Sequence, residues 1–196
     1  MATVDALAAR RTDCNLMTTL TSRRRTLTLG AAALALAACA SAPTPADYAS
    51  ESPKLDLRSY FNGPLTAHGV FTDRSGKVVR RFTVKMTGTW NGNQGVLDED
   101  FTYSDGKKEK RIWRLTDLGN GRYSGRADDV VGEATGVAAG NALNWRYTLA
   151  LNVDARTIEV QFDDWMYLMD DRVMLNKAAM SKFGVHLGEV TLSFYK

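Results

Sequence analysis

Cysteine, histidine and proline are scarce in this sequence, which contains two cysteines, two histidines and four prolines in 196 residues. Both cysteines, Cys14 and Cys39, precede residue 40, so the rest of the chain has no thiol for a disulfide or for nucleophilic attack. The two histidines, His68 and His186, are far apart in the sequence. These absences exclude a histidine-rich metal site, and we predict no metal and no cofactor.

Long apolar runs and enzyme motifs are also missing. The main apolar stretch, residues 27–38, is shorter than the ~20 residues that a membrane-spanning helix needs. The sequence contains no Gly-x-Ser-x-Gly, no His-Glu-x-x-His and no phosphate-cradling glycine loop. Asp163 and Asp164 are adjacent, and adjacent strand residues point to opposite faces, so they do not form an acid/base pair. We predict no catalytic residue and favour a protein that is not an enzyme.

The net charge of +3 comes from the amino-terminal segment. Residues 1–38 carry five arginines and two aspartates, which leaves 20 basic and 20 acidic residues in the remaining chain. That remainder is formally neutral and lacks the excess of positive charge that marks a nucleic-acid-binding domain. We therefore predict no nucleic-acid partner.

Residues 22–39 (SRRRTLTLGAAALALAAC) have the order of a secretory signal, with three arginines before the apolar stretch. The ending Leu36-Ala37-Ala38-Cys39 resembles the lipobox of bacterial lipoproteins, which implies cleavage before Cys39 and acylation of that cysteine. An ordinary secretory signal with an incidental cysteine is the alternative. We predict a signal helix at residues 1–38 that is removed on maturation, and we interpret residues 1–16 as an over-called start.

The segment after this signal, residues 39–54, contains three of the four prolines and no apolar period. Its composition predicts a flexible, lipidated tether. We expect an exported protein that is anchored through Cys39 at the periplasmic face of a membrane. The outer membrane is favoured, because Ala40 and Ser41 stand where an inner-membrane retention signal has aspartate. Both the Sec and the twin-arginine export routes fit the arginine run.

From residue 55 onward the chain reads as strands. Residues 77–90 alternate apolar and polar side chains with period 2, as in a half-buried antiparallel strand. Turn sequences such as Asn91-Gly92-Asn93 separate this strand from eight or nine others. We predict an all-β domain at residues 55–196, either an antiparallel up-and-down β-barrel or a strongly curved sheet. Closure is favoured because it removes exposed edges.

Five stretches of this domain resemble a family of bacterial lipoproteins known only as domain-of-unknown-function family 3833. They are LRSYFNG at residues 57–63, DRSGKVVRRF at 73–82, GNALNW at 140–145, FDDWM at 162–166 and KFG at 182–184. The resemblance covers about residues 55–196. It implies a lipocalin-like envelope lipoprotein and carries no established activity.

Residues 162–177 (FDDWMYLMDDRVMLNK) combine aromatic residues, methionines and four aspartates. In one interpretation the aromatic residues are core and the aspartates end strands. In a second, Trp165, Met166 and Tyr167 line a pocket for an apolar ligand, because methionine adapts to variable shapes. In a third, the aspartates bind a divalent cation, although the stretch lacks the glycine and the alternating acids of a calcium loop.

Charged residues interrupt the apolar faces of three predicted strands at Arg80, Glu99 and Arg111. One interpretation is that they face inward together and bind a carboxylate headgroup, since a buried charge is costly unless it is paired. The other is that they point to solvent from strand ends. The candidate ligand-binding residues are therefore Arg80, Trp90, Glu99, Arg111, Trp113, Trp145, Trp165, Met166 and Tyr167.

The leading hypothesis is a membrane-anchored barrel that binds or carries a hydrophobic small molecule such as a fatty acid or lipid. The alternative is a structural lipoprotein with a filled core and a protein partner, and a lipid-modifying enzyme comes third. A lined cavity of roughly 300 Å³ or more favours ligand binding. An interior filled by the tryptophans favours the structural role.

Overall fold

The computed structural model describes residues 42–153 and 156–196, and these residues form mostly β-structure. A 3₁₀-helix (Pro45–Tyr48) and one turn of α-helix, α1 (Leu57–Tyr60), precede the strands. Neither of these helices is long or apolar enough to cross a bilayer. The strands are β1 (Gly63–Asp73), β2 (Val78–Asn91), β3 (Gln94–Tyr103), β4 (Lys108–Gly119), β5 (Arg122–Arg126), β6 (Ala134–Ala139), β7 (Ala142–Val153), β8 (Arg156–Leu168), β9 (Val173–Lys182) and β10 (Val185–Tyr195).

These ten strands form a closed antiparallel ring. Each strand pairs with its neighbours in sequence, and β1 closes the ring by pairing with β10. The closing register runs from Thr66 opposite Tyr195 to Asp73 opposite Gly188. The predicted up-and-down barrel is confirmed, and the alternative of an open curved sheet is excluded by this last pairing.

The period-2 pattern of the sequence decides which side chains face the interior. On β2, Phe82, Val84 and Met86 are buried, whereas Thr83 and Lys85 between them are exposed. The buried side chains of the other strands belong to the same hydrophobic core. The core is therefore a single layer of inward side chains contributed by the strands around the ring.

α1 closes one end of the barrel, which we call the closed end. Asp56 starts the helix, because its side chain accepts a hydrogen bond from the Arg58 amide at 3.2 Å. The turn buries Leu57, Tyr60 and the following Phe61. These three side chains join the hydrophobic core of the barrel.

Phe61 is the centre of the closed end. Its ring meets that of Phe194 edge to face, with 5.7 Å between the centroids. Its carbonyl accepts a hydrogen bond from the Trp90 indole at 3.0 Å. Gly88 lies so close that an added Cβ would come within 1.9 Å of the same carbonyl oxygen. Side-chain and main-chain groups of Phe61 are thus both fixed by the strands around them.

The 3₁₀-helix lies within the segment that was predicted to be a flexible tether, residues 39–54. Tyr48 packs against Trp165 and Tyr167 of β8, with centroid distances of 5.7 and 5.4 Å. The flexible-tether prediction does not hold for residues 45–48, because Tyr48 finds an aromatic surface on the barrel wall. The predicted signal at residues 1–38 and Cys39 lie outside the described residues.

Candidate functional site

The interior of the barrel holds a cavity of about 830 Å³. Its lining runs from Phe61 at the closed end to Lys107, Asp128 and Asn152 at the opposite end. The last three residues are exposed to solvent. The cavity therefore opens away from α1, at an end of the barrel that we call the mouth.

Four rings near the mouth line the cavity and form what we call the mouth aromatic cluster. Phe82 is at its centre, and the centroids of Phe71, Phe101 and Tyr103 lie 5.0, 5.9 and 5.8 Å from that of Phe82. Gly69 of β1 makes room for Phe82, since a Cβ there would come 2.4 Å from the Phe82 ring. The end of the ring therefore occupies the space that a side chain at residue 69 would fill.

Four further rings line the middle of the cavity and form the central aromatic cluster. Trp113 meets Trp145 and Tyr147 edge to face at 5.7 and 5.6 Å. Tyr147 stacks on Phe162 at 4.9 Å. A Cβ at Gly136 would come 2.3 Å from Trp145, so this ring also lies over a glycine. Both clusters present apolar, electron-rich surface to the cavity.

A charged group interrupts this apolar wall. Glu99 of β3 and Arg111 of β4 are directly paired across the strands, and both line the cavity. Asp129, in the loop between β5 and β6, accepts hydrogen bonds from Arg111 Nε at 2.9 Å and from Nη2 at 2.6 Å. Arg111 Nη1 is 4.0 Å from Glu99 Oε2, which is longer than a hydrogen bond. Arg111 therefore forms hydrogen bonds with Asp129, whereas its interaction with Glu99 is electrostatic without a hydrogen bond.

Burial governs the ionisation of this group. Only 7% of Glu99 is exposed, and burial raises the pKa of Glu99 to about 7 in spite of the opposing charge of Arg111. Burial disfavours the charged form of Arg111, but Glu99 and Asp129 outweigh it, so that the pKa of Arg111 is raised. Glu99 is therefore close to its titration point at neutral pH, whereas Arg111 is fully charged.

A second carboxyl group faces the cavity from Asp164 of β8. β8 and β3 are five strands apart in the ring of ten, so Asp164 and Glu99 lie on opposite walls. Asp164 is 6% exposed and accepts a hydrogen bond from the Asn176 side chain. Burial raises the pKa of Asp164 to about 7, against the effect of that hydrogen bond. Burial and the nearby Asp164 also raise the pKa of Tyr147.

The charges at the mouth are paired with one another. Arg80 Nη2 is 2.7 Å from Asp105 Oδ2, and its guanidinium lies 3.5 Å from the centroid of the Tyr103 ring. The Tyr103 hydroxyl donates to Glu109 at 2.7 Å, and Lys107 also pairs with Glu109. Arg80 Nε is buried without a hydrogen-bond partner among the described residues.

Six of the nine candidate residues come together around the cavity. Arg80, Glu99 and Arg111 all line the cavity. Glu99 and Arg111 lie inside it, whereas Arg80 lies at the mouth and pairs with the exposed Asp105. The hypothesis that these charges bind a carboxylate headgroup is weakened, because Arg111 already binds Asp129. The six that line the cavity are Arg80, Glu99, Arg111, Trp113, Trp145 and Met166.

The other three candidates, Trp90, Trp165 and Tyr167, do not line the cavity. Trp90 lies at the closed end and donates to the Phe61 carbonyl. Trp165 and Tyr167 are on the outer face of β8, where they pack against Tyr48. The sequence interpretation placed these two residues inside, although the inward positions of β8 are the even-numbered ones.

The four aspartates of residues 162–177 do not form one site. Asp163 is on the outer face and accepts from the Asn144 side chain at 2.6 Å, whereas Asp164 faces the cavity. Asp170 accepts from the amides of Arg172 and Val173, as a turn-forming aspartate does. Within the described residues, no group of three or more acidic, histidine or cysteine side chains is arranged to hold a metal ion.

Sequence reasoning missed Asp129, Asp164, Tyr147 and Asn176 as cavity residues. The series Ile158, Val160 and Phe162 continues to Asp164 in period 2, so the sequence pattern could have predicted that Asp164 faces the interior. No sequence pattern points to Asp129, because it lies in a loop and its contact with Arg111 depends on the tertiary structure.

The cavity lining also limits the chemistry of the site. Among the described residues, those that line it include no serine, threonine, cysteine or histidine. The side chains of the lining that can act as nucleophiles are carboxyl, lysine and tyrosine groups, among them Glu99, Asp164 and Tyr147. The lining instead combines apolar surface with a few buried polar groups, which is the composition of ligand-binding sites.

Fold and cavity together define a closed, up-and-down antiparallel β-barrel with a lumen that is open at one end. The chain belongs to the family of proteins of unknown function DUF3833, whose model matches residues 33–196. The family resemblance seen in the sequence is thereby confirmed. No curated protein matches the chain.

Two solved structures are similar to this chain at a low level. EF1p2_mFAP2b bound to DFHBI is 11% identical, with a TM-score of 0.41, over 71% of this chain and 98% of that one. A de novo designed fluorescence-activating β-barrel is 14% identical, with a TM-score of 0.38, over 72% of this chain and 98% of that one. Similarity this low supports no conclusion about the ligand or the activity of this chain.

Proposed function

We propose that this protein is an exported lipoprotein whose barrel binds or carries a hydrophobic or amphiphilic small molecule of the lipid type. The observation that supports binding is the cavity of about 830 Å³, which is open at the mouth and mainly aromatic and aliphatic in its walls. Ligand sites in proteins commonly measure about 300–1,000 Å³. The cavity therefore exceeds the size at which binding is favoured over a filled, purely structural core.

The size of the cavity also argues for an occupant. Empty cavities in a core destabilise a protein, and the cost rises with the volume, so a closed, dry void of this size would be strongly destabilising. Domains have about 5–15 kcal/mol of stability in total. The cavity must hold water or a ligand, and an apolar ligand that displaces water from apolar walls gains free energy.

Two measurements test the carrier function. Protein purified from its native membrane, extracted and analysed by mass spectrometry, is expected to yield a bound lipid-type molecule. The purified protein is also expected to bind an apolar fluorescent probe in the lumen. Absence of both the extracted molecule and probe binding would contradict the proposal.

A matched pair of variants locates the probe. Ala178 is buried and lines the cavity, whereas the next residue, Ala179, does not line it. Ala178→Leu is expected to fill part of the lumen and to weaken probe binding, because the added side chain occupies ligand volume. Ala179→Leu adds the same side chain outside the lumen and is expected to leave binding unchanged. Equal loss in both variants would mean that the probe binds elsewhere.

Anchoring through Cys39 is the second part of the proposal, and the lipobox-like sequence supports it. Two or three acyl chains hold a protein stably on a bilayer, where a single chain is marginal. Cys39→Ser is expected to leave the barrel folded but to move it from the membrane to the soluble fraction. Ala42→Ser, which introduces a serine three residues away and keeps Cys39, is the matched control and is expected to stay with the membrane. We expect the wild-type protein at the periplasmic face of the outer membrane, which density-gradient fractionation checks.

A further inference from the structure

Arg80, Lys107 and Lys110 line the cavity near the mouth, and the ionisable side chains deeper inside include more acids than bases. Arg111 is the cation of this group, and Glu99, Asp129 and Asp164 are the carboxylates around it. Asp129 occupies one edge of the Arg111 guanidinium, formed by Nε and Nη2, and Nη1 on the other edge lies 4.0 Å from Glu99. A carboxylate headgroup beside Arg111 would therefore meet two further carboxyl groups and a guanidinium that is already bound.

Glu99 and Asp164 are instead placed to receive a positive charge. Glu99 has its nearest Arg111 nitrogen 4.0 Å away, so its oxygens are not held by that guanidinium in a hydrogen bond. Asp164 faces it from the opposite wall, with Asn176 donating to one of its oxygens. An ammonium group has several N–H donors and matches acceptors of this kind.

The central aromatic cluster adds to this preference. Trp113, Trp145 and Tyr147 line the same part of the cavity as the two carboxyl groups, and they pack edge to face around Trp113. The faces of such rings attract a cation within about 6 Å, and tryptophan does so best. Aromatic faces and carboxylates together form the surroundings in which proteins hold ammonium groups.

We propose that the ligand is an amphiphile whose polar end is an ammonium group, held between Glu99 and Asp164, with its apolar part along the aromatic walls. The inference rests on the proposed carrier function and specifies its ligand class. An ammonium group stabilises the ionised forms of both carboxyl groups. Binding is therefore expected to release protons near neutral pH and to strengthen as the pH rises from about 5 to 8.

Three probes with the same chain test the head group: dodecylammonium, dodecanoate and dodecanol, each below its micelle concentration. An alkylammonium stays charged over this pH range, because amine pKa values lie near 10. Isothermal titration calorimetry at about pH 8 is expected to show dodecylammonium binding about tenfold or more tightly than dodecanoate, a difference of about 1.4 kcal/mol per factor of ten. Titration at about pH 5 is expected to reduce this advantage, because Glu99 and Asp164 are then protonated.

Variants assign the effect to the lumen. Glu99→Gln is expected to weaken dodecylammonium binding about tenfold and to leave dodecanol binding unchanged, which also shows that the variant is folded. Glu159→Gln makes the same substitution at an exposed position outside the lumen and is the matched control. Arg80→Met removes the mouth arginine that has a buried, unpartnered Nε among the described residues and is the alternative site for a carboxylate.

The outcomes separate this inference from the carrier function. If all three probes bind equally and Glu99→Gln changes no affinity, binding in the lumen does not depend on the head group. The ammonium proposal is then wrong, while the carrier function stands. If dodecanoate binds most tightly and Arg80→Met abolishes its advantage, the ligand is a carboxylate held at the mouth, which also overturns the ammonium proposal. If no probe binds, both proposals fail.

Discussion

The closed end and the mouth half of the barrel are built from the same ten strands, but their inward side chains act differently. At the closed end, Phe61 and Phe194 interlock, and the Phe61 carbonyl binds Trp90. In the mouth half, the rings lie back against glycines, and Glu99 and Arg111 face open space. The comparison indicates that the two regions have different roles. The closed end stabilises the fold through packing, and the mouth half provides the cavity volume and the charged groups for a ligand.

The largest expected effect is at the closed end. Phe61→Ala removes a buried ring from the centre of the packing and should lower the free energy of unfolding by about 3–5 kcal/mol. Phe101→Ala, in the mouth aromatic cluster, removes a ring that is only partly buried beside a cavity and should lower it by about 1 kcal/mol. Urea denaturation of both variants measures the difference. Equal losses would break the proposed division between the two regions.

Two glycines give a second comparison of the same kind. In Gly88→Ala the added Cβ meets the Phe61 main-chain oxygen at 1.9 Å, and neither group can move freely. In Gly69→Ala it meets the end of the Phe82 ring, which can turn into the cavity. We expect a loss of about 2–3 kcal/mol for Gly88→Ala and about 1 kcal/mol for Gly69→Ala. Only Gly69→Ala should also reduce probe binding, and the reverse pattern would contradict the structure.

The pH dependence of stability should also differ between the two regions. Glu99 and Asp164 have folded-state pKa values raised to about 7, so the folded state binds their protons more tightly than the unfolded state. Their contribution is fully present below the ordinary pKa values near 4 and is lost as the pH rises to about 7. The free energy of unfolding should fall by on the order of 2 kcal/mol or more across this window.

At the closed end, Asp56 has the opposite sign. Burial raises its pKa, but hydrogen bonds from Ser59 and the Arg58 amide outweigh this effect and lower the pKa of Asp56 overall. Its stabilisation is present above its ordinary pKa and is lost as the pH falls below it. Urea denaturation from about pH 3 to 8 measures both slopes. Glu99→Gln should flatten only the slope between about 4.5 and 7, and an unchanged slope would mean that Glu99 does not titrate there.

The smallest expected effect is at the rim of the mouth. Asp105→Ala removes the carboxylate that pairs with Arg80 at 2.7 Å, but the Asp105 side chain is 56% exposed. Exposed ion pairs contribute about 0–1 kcal/mol, so stability should change by less than about 1 kcal/mol. Thermal denaturation at low and high salt measures this change. A loss above about 2 kcal/mol would show that the rim, and not only the closed end, holds the fold together.

The alternating pattern of the sequence was sufficient to predict the barrel and the inward face of β2. In β8 the same pattern, continued from Ile158 and Val160, also puts Trp165 and Tyr167 outside, but they were assigned to the interior because of their aromatic character. What the pattern does not contain is the packing of Tyr48, from a distant part of the sequence, on these outward rings. The contact of Asp129 with Arg111 and the size of the cavity could not be predicted from the sequence for a related reason. Both depend on which strands become neighbours, and periodicity within one strand does not contain that information.

The glycines beneath Phe82 and Trp145 have a consequence for the whole family. Gly69 and Gly136 each lie directly opposite their ring on the adjacent strand, and each leaves the space that part of that ring occupies. A single methyl group at either position would tip the ring inward and narrow the lumen without replacing any aromatic residue. Relatives that share every aromatic side chain can therefore differ in the size of molecule they accommodate, and the residue types at these two positions allow that difference to be read from sequence.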